Sequence, residues 1–151
     1  MQPNKKMKVL IALDYDPTAK KVADVGFAMA KAMGAEIVLI HVVVDLVTYS
    51  LQYINMDALQ LEGGIALKDA SRKFLEKMKQ HLGDMMIKSL IKEGDFADCI
   101  LETIKEEDID IIVMGSHSKK WLENIFMGSV TEEVLRKTTI PLFIVPTKKR
   151  E

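Results

Sequence analysis

The chain has 151 residues, 48% of them hydrophobic and 28% charged, which is enough for one globular domain spanning residues 1–151 and too little for two ordinary ones. A formal net charge of −1 leaves no overall field favouring nucleic acid or an anionic membrane, and a single cysteine, Cys99, excludes an internal disulfide framework and fits a reducing compartment. Residues 1–6 are polar, unlike a signal peptide, and no apolar run nears the roughly 20 residues that span a bilayer, so a soluble cytoplasmic protein is expected.

Residues 7–13 (MKVLIAL) read as a first strand. Asp14-Tyr15-Asp16-Pro17 ends it: proline disfavours helix before itself but suits a first helical turn, which makes Asp16 the expected N-cap. The next helix carries Ala19, Val22, Ala23, Gly26, Phe27, Ala30 and Met33 at helical spacing and stops at Gly34. Residues 36–42 form the second strand, with His41 expected to be a buried, hydrogen-bonded histidine. Residues 43–64 hold apolar side chains without a clean period; a connection this long usually has a role or some helix of its own, and the segment is either a flap over a crevice or partner surface, or a loop that covers the sheet edge.

A second helix is predicted over about residues 65–81, with Leu67, Ala70, Phe74, Leu75, Met78 and Leu82 inward and Gly83 as its stop. Residues 85–91 give a third strand. Gly94-Asp95 breaks the chain, and Asp95 is placed to cap a helix that buries Ala97, Ile100, Leu101 and Ile104. Cys99 reads as a small hydrophobe and the ten methionines as core. Residues 109–114 and 141–145 supply strands four and five. Strand and helix alternate throughout, which implies an α/β, doubly wound parallel sheet of five strands with helices on both faces.

The most informative stretch is IIVMGSHSKKWLENIFMGSVTEEVL, residues 111–135. Ile111-Ile112-Val113-Met114 is a short, unalternated β-branched run, the mark of a strand buried on both faces. Gly115 ends it, twelve residues follow, and Gly128-Ser129 opens a helix in which Ser129 and Glu132 have capping-box spacing and Val134 and Leu135 supply an apolar side. The amino end of such a helix presents unpaired N–H groups and a positive dipole end, which suits phosphate. Phosphate-loop and dinucleotide glycine patterns are absent, as are a His/Cys metal cluster, a recognisable Ser/His/Asp set and a residue to nominate as a hydrolytic base.

Gly115, two residues, Ser118, nine residues and Gly128-Ser129 reproduce, with Ser118 in place of one glycine, the spacing of nucleotide-binding members of the universal stress protein family. VLIALDYDP, LIHVV, EGDFADCIL and PLFIVP fall in the family's order, and the chain resembles that family from Lys8 to Pro146. The resemblance implies a Rossmann-like sheet of strand order 3-2-1-4-5, with Asp14 contacting the nucleotide and the backbone at Val42 reading adenine. It assigns the rest of the site to Met114, Gly115, His117, Ser118, Gly128, Ser129, Val130 and Thr131. It further implies ATP or another adenine nucleotide, ADP and AMP included, accompanied by Mg2+, and a homodimer through strand five, Pro141-Leu142-Phe143-Ile144-Val145. Two other readings stay open: a family member that binds no nucleotide and acts through its dimer and protein partners, and a slow nucleotide hydrolase. Ser118 adds a Cβ where backbone approaches the phosphates, so binding is expected to depend less on the γ-phosphate than in the family pattern.

Overall fold

Lys8–Ala12 (β1), Glu36–Val43 (β2), Lys88–Glu93 (β3), Ile111–Gly115 (β4) and Leu142–Val145 (β5) form one parallel sheet in the order β3-β2-β1-β4-β5 in a computed structural model. The structure describes residues 5–43, 57–116 and 129–147, with the side chains of 57–67 and 129 outside that description. Val9 of β1 sits between Ile37 of β2 and Ile111 of β4, and Val113 pairs with Phe143. Four helices are described: Ala19–Ala32 (α1), Asp57–Leu82 (α2), Phe96–Glu107 (α3) and Ser129–Lys137 (α4).

Each strand alternates between two cores because helices cover both faces. Val9, Ile11, Ile37, Leu39 and Val113 pack under α1 and α2, with Val22, Ala23, Leu75 and Met78. Leu10, Val38, Ile40, Ile112 and Met114 pack under α3 and α4, with Ile100 and Val134. Leu10, Ile11, Leu39, Ile40 and Ile112 are fully buried, and each such side chain contributes about 1.5–3 kcal/mol relative to exposure.

The helix ends follow local chemistry. Gly34 (φ 65°) closes α1: its N–H reaches Lys31 O at 3.1 Å and the next N–H reaches Ala30 O at 2.9 Å, a Schellman pair that needs a left-handed residue at that point. Asp95 caps α3 as expected, its carboxylate accepting from the Asp98 N–H at 3.0 Å. Asp16 does not cap α1 directly. Thr18 holds the N-cap position, and the carboxylate of Asp16, two residues before it, accepts from the Thr18 N–H and hydroxyl.

Other expectations are corrected. Helix α2 begins at Asp57 rather than at about residue 65, so the long connection carries helix over residues 57–64; residues 44–56 lie outside the described residues. On α2, Ser71 rather than Ala70 is buried, because the inward row runs Ser71, Leu75, Met78. Strand β3 starts at Lys88, since Asp84 accepts from the Met86 N–H at 3.0 Å and holds 85–86 in a turn. The methionines are not all core: Met86 is 92% exposed, and Met33 and Met85 are also exposed. Leu135 is exposed as well, so α4 faces the core with Val130, Thr131 and Val134.

His41 is buried, and its Nδ1 donates to Leu13 O at 2.7 Å, with its ring edge-to-face against Phe74 at 5.5 Å between centroids. Burial lowers its pKa, the hydrogen bond to Leu13 opposing only in part. A lowered folded-state value means that the unfolded chain takes up the proton first, so stability is full above the ordinary histidine range and falls as pH drops through it. The denaturant midpoint should therefore fall between pH 7.5 and pH 5.5 by more in the wild type than in His41→Asn, whose amide keeps an N–H for Leu13. An equal fall would assign the titration to another group.

Candidate functional site

In this strand order β1 and β4 are neighbours whose connections leave in opposite directions, which opens a crevice at their carboxyl ends. A cleft of about 460 Å³, its open mouth included, lies there. Ala12, Leu13 and Asp14 reach it from the end of β1, and Thr18, Ala19 and Val22 from the start of α1. Ile40 and Val42 form the β2 side, and Phe96 and Ile100 of α3 stand beside them. Met114 and Gly115 end β4 there, and Val130 comes from the first turn of α4.

The walls are mostly aliphatic, and Asp14 is the only charged group among the described lining residues. The Asp14 carbonyl accepts from the Asp16 N–H at 2.9 Å in the turn that follows β1, and Asp14 is half-buried in the cleft wall. A carboxylate with apolar walls suits a ligand that carries hydroxyl donors on one part and a flat apolar surface on another.

Three hydrogen bonds hold the end of β4, the start of α4 and the end of β5 together. Thr131 is fully buried and its hydroxyl donates to Gly115 O at 3.0 Å, which ties the first turn of α4 to the last residue of β4. What Thr131 has to offer an anion is thus its main-chain N–H in that first turn. The Ser116 N–H donates to Val145 O at 2.8 Å, and the Ser116 hydroxyl accepts from the Thr147 N–H at 3.1 Å, so the chain leaving Gly115 is pinned to the end of β5.

The structure brings Asp14, Val42, Met114, Gly115 and Val130 to one cleft, with Thr131 behind Gly115 and Ser129 as the first residue of α4. His117, Ser118 and Gly128 lie outside the described residues. Sequence reasoning missed Phe96, Ile100 and the Thr18–Val22 wall. Only the Asp95 cap hinted at them, since it fixes where α3 begins but not what that helix faces. Asp95, Asp98 and Glu133 bring carboxylates within 4.8 Å of one another, yet Asp95 is the α3 cap and Glu133 pairs with Lys137 at 2.9 Å, so both are accounted for within the fold. No helix among the described residues is long and apolar enough to cross a membrane.

Fold and cleft together define a doubly wound α/β protein with an open crevice at its switch point. A model described as the universal stress protein family matches residues 6–146, and the chain belongs to that family. It is 27% identical over 154 residues to Universal stress protein MJ0577 of Methanocaldococcus jannaschii, covering 93% of this chain and 95% of the relative. A solved structure of MJ0577 matches with a TM-score of 0.79 and 28% identity, over 96% of this chain and 98% of that one. The fold is also shared with a universal stress protein solved in complex with cAMP (TM-score 0.68, 19% identity, 95% and 98% covered). A further match is the universal stress protein of Archaeoglobus fulgidus in complex with dAMP (TM-score 0.58, 16% identity, 91% and 96% covered).

Proposed function

We propose that this protein binds an adenine nucleotide, ATP or its relatives ADP and AMP, in the cleft between β1 and β4, and acts as a cytoplasmic binding module in a stress response. One observation carries the reading: the cleft joins aliphatic walls, the Asp14 carboxylate and the amino end of α4 within a single crevice. In this reading Asp14 accepts hydrogen bonds from the ribose hydroxyls, Val42 and Met114 flank the base, and the phosphates lie toward Ser129, Val130 and Thr131 at the positive end of α4. Gly128, Ser118 and His117 complete the phosphate end. Mg2+ enters with the triphosphate, because the cleft's described walls hold only one carboxylate and suit a nucleoside better than a free cation. The cAMP and dAMP complexes of other family members support a site for adenosine phosphates in this fold.

Calorimetric titration with ATP, ADP and AMP, with and without Mg2+, tests this reading. Absence of heat and of any thermal shift with all three would favour the second reading, a family member working through protein partners, for which Ser118 in place of a glycine is the supporting observation.

We also propose that two copies pair through β5. Among the described residues no strand pairs with the outer edge of β5, and Phe143 on it is 41% exposed. Sedimentation at micromolar concentration should give a dimer, and Phe143→Glu should shift it to monomer. A wild-type monomer would remove this assembly.

A further inference from the structure

Phe96 is the one aromatic ring among the described residues of the cleft wall; the side chains around it are aliphatic or small. It is also the first residue of α3, at a turn held by several independent constraints. Gly94 has φ 138°, a conformation that side chains disfavour, and its N–H reaches Val43 O at 3.1 Å, which joins the exit of β3 to the end of β2. The Asp95 carboxylate accepts from the Asp98 N–H at 3.0 Å, and the Cys99 N–H reaches Asp95 O at 2.9 Å. Cys99, buried behind this turn, would lie 3.4 Å from any Cβ placed on Gly94. The backbone that carries Phe96 is therefore fixed before any ligand arrives. The ring packs with the cluster that contains Ile40, Val42, Ile100 and Met114, and it reaches the cleft together with those four residues.

An aliphatic wall accepts any apolar surface of suitable size, whereas an aromatic face rewards a flat π-system and rewards a bicyclic one more than a single ring. We propose that Phe96 is the base-stacking residue of this cleft and gives it a preference for purine over pyrimidine nucleotides; the proposal rests on the nucleotide reading above. The division of labour is then spatial. Asp14, at the β1 end, holds the sugar and does not distinguish bases, while Phe96, at the β2–α3 side, distinguishes bases and does not touch the sugar.

Titrations of wild type, Phe96→Leu, Phe96→Trp and Asp14→Ala with AMP and CMP test the assignment, with thermal melts confirming that each variant is folded. Leucine keeps apolar volume and removes the flat face. Phe96→Leu should weaken AMP at least about fivefold and CMP much less, so that the two affinities converge. Phe96→Trp should hold AMP near the wild-type value. Asp14→Ala should weaken AMP and CMP by the same factor. If Phe96→Leu binds AMP as the wild type does, the ring only fills space and the proposal fails while the nucleotide reading stands. Equal losses of AMP and CMP in Phe96→Leu would trace the effect to the β3–α3 turn and also overturn the proposal. A wild type that binds neither nucleotide removes both the reading and the inference.

Discussion

Replacing Asp14 by alanine should weaken AMP and ATP alike, by about ten- to a hundredfold, the range expected when a charged acceptor loses its hydrogen bonds to a ligand. Asp14 is the only charged group among the described lining residues, and it stands where β1 ends, across the crevice from Gly115. If it holds the sugar, with the phosphates toward α4 as proposed, the loss is independent of phosphate count. Asp14→Asn keeps one acceptor oxygen and should fall between wild type and alanine. Calorimetry with the two nucleotides reads the comparison directly. Unchanged affinity in Asp14→Ala would remove Asp14 from the site, and a loss confined to ATP would move it from the ribose to the phosphate end.

Gly26→Ala should destabilise the protein by roughly 1–2 kcal/mol, even though alanine is the better helix former by about 1 kcal/mol. Gly26 is a buried residue of α1 facing Ile11 of β1 and Val113 of β4. A Cβ built there meets Ile11 Cδ1 at 2.8 Å, Ile11 Cγ1 at 3.0 Å and Val113 Cγ1 at 3.2 Å. Ile11 and Val113 are both fully buried between the sheet and α1, and both are β-branched, so neither has a free rotamer to retreat into. Ile11→Val removes the atom at 2.8 Å and by itself costs about 0.5–1.5 kcal/mol. Combined with Gly26→Ala it should cost less than the sum of the two single changes, since each relieves what the other imposes. Guanidinium unfolding of the four proteins in the cycle measures this. Strict additivity, or a neutral Gly26→Ala, would mean that α1 lifts off the sheet at little cost.

Much of the fold was written locally. Runs such as VLIA in β1 and IIVM in β4 announce strands because β-branched residues unbroken by polar ones fit only a sheet covered on both faces. Gly34 and Gly83, with φ of 65° and 73°, stop α1 and α2 because a left-handed residue is needed to satisfy the last carbonyls. Where the signal was weaker the boundaries moved. The first residues of α2 carry no clean stripe, so the helix began at Asp57 rather than at about residue 65. Helix α3 ends without a glycine, on Asp108 in the left-handed region, with the Ile109 N–H reaching Ile104 O at 3.0 Å.

The chain by itself determined the strands, most helix stops, the Asp95 cap, and, through its resemblance to a family, the strand order and five residues of the cleft. These follow from backbone preferences and hydrophobic period, which act over a few residues and are carried by the residue types themselves. Only the tertiary structure decided that Phe96 and Ile100 join Val42 and Met114 in one wall, that the Thr131 hydroxyl is committed to Gly115, and that Met86 stands in solvent while Met114 lies in the core. These juxtapositions depend on which strands are neighbours and which face each crossover covers, and residues about 54 positions apart, as Val42 and Phe96 are, meet only once both choices are made.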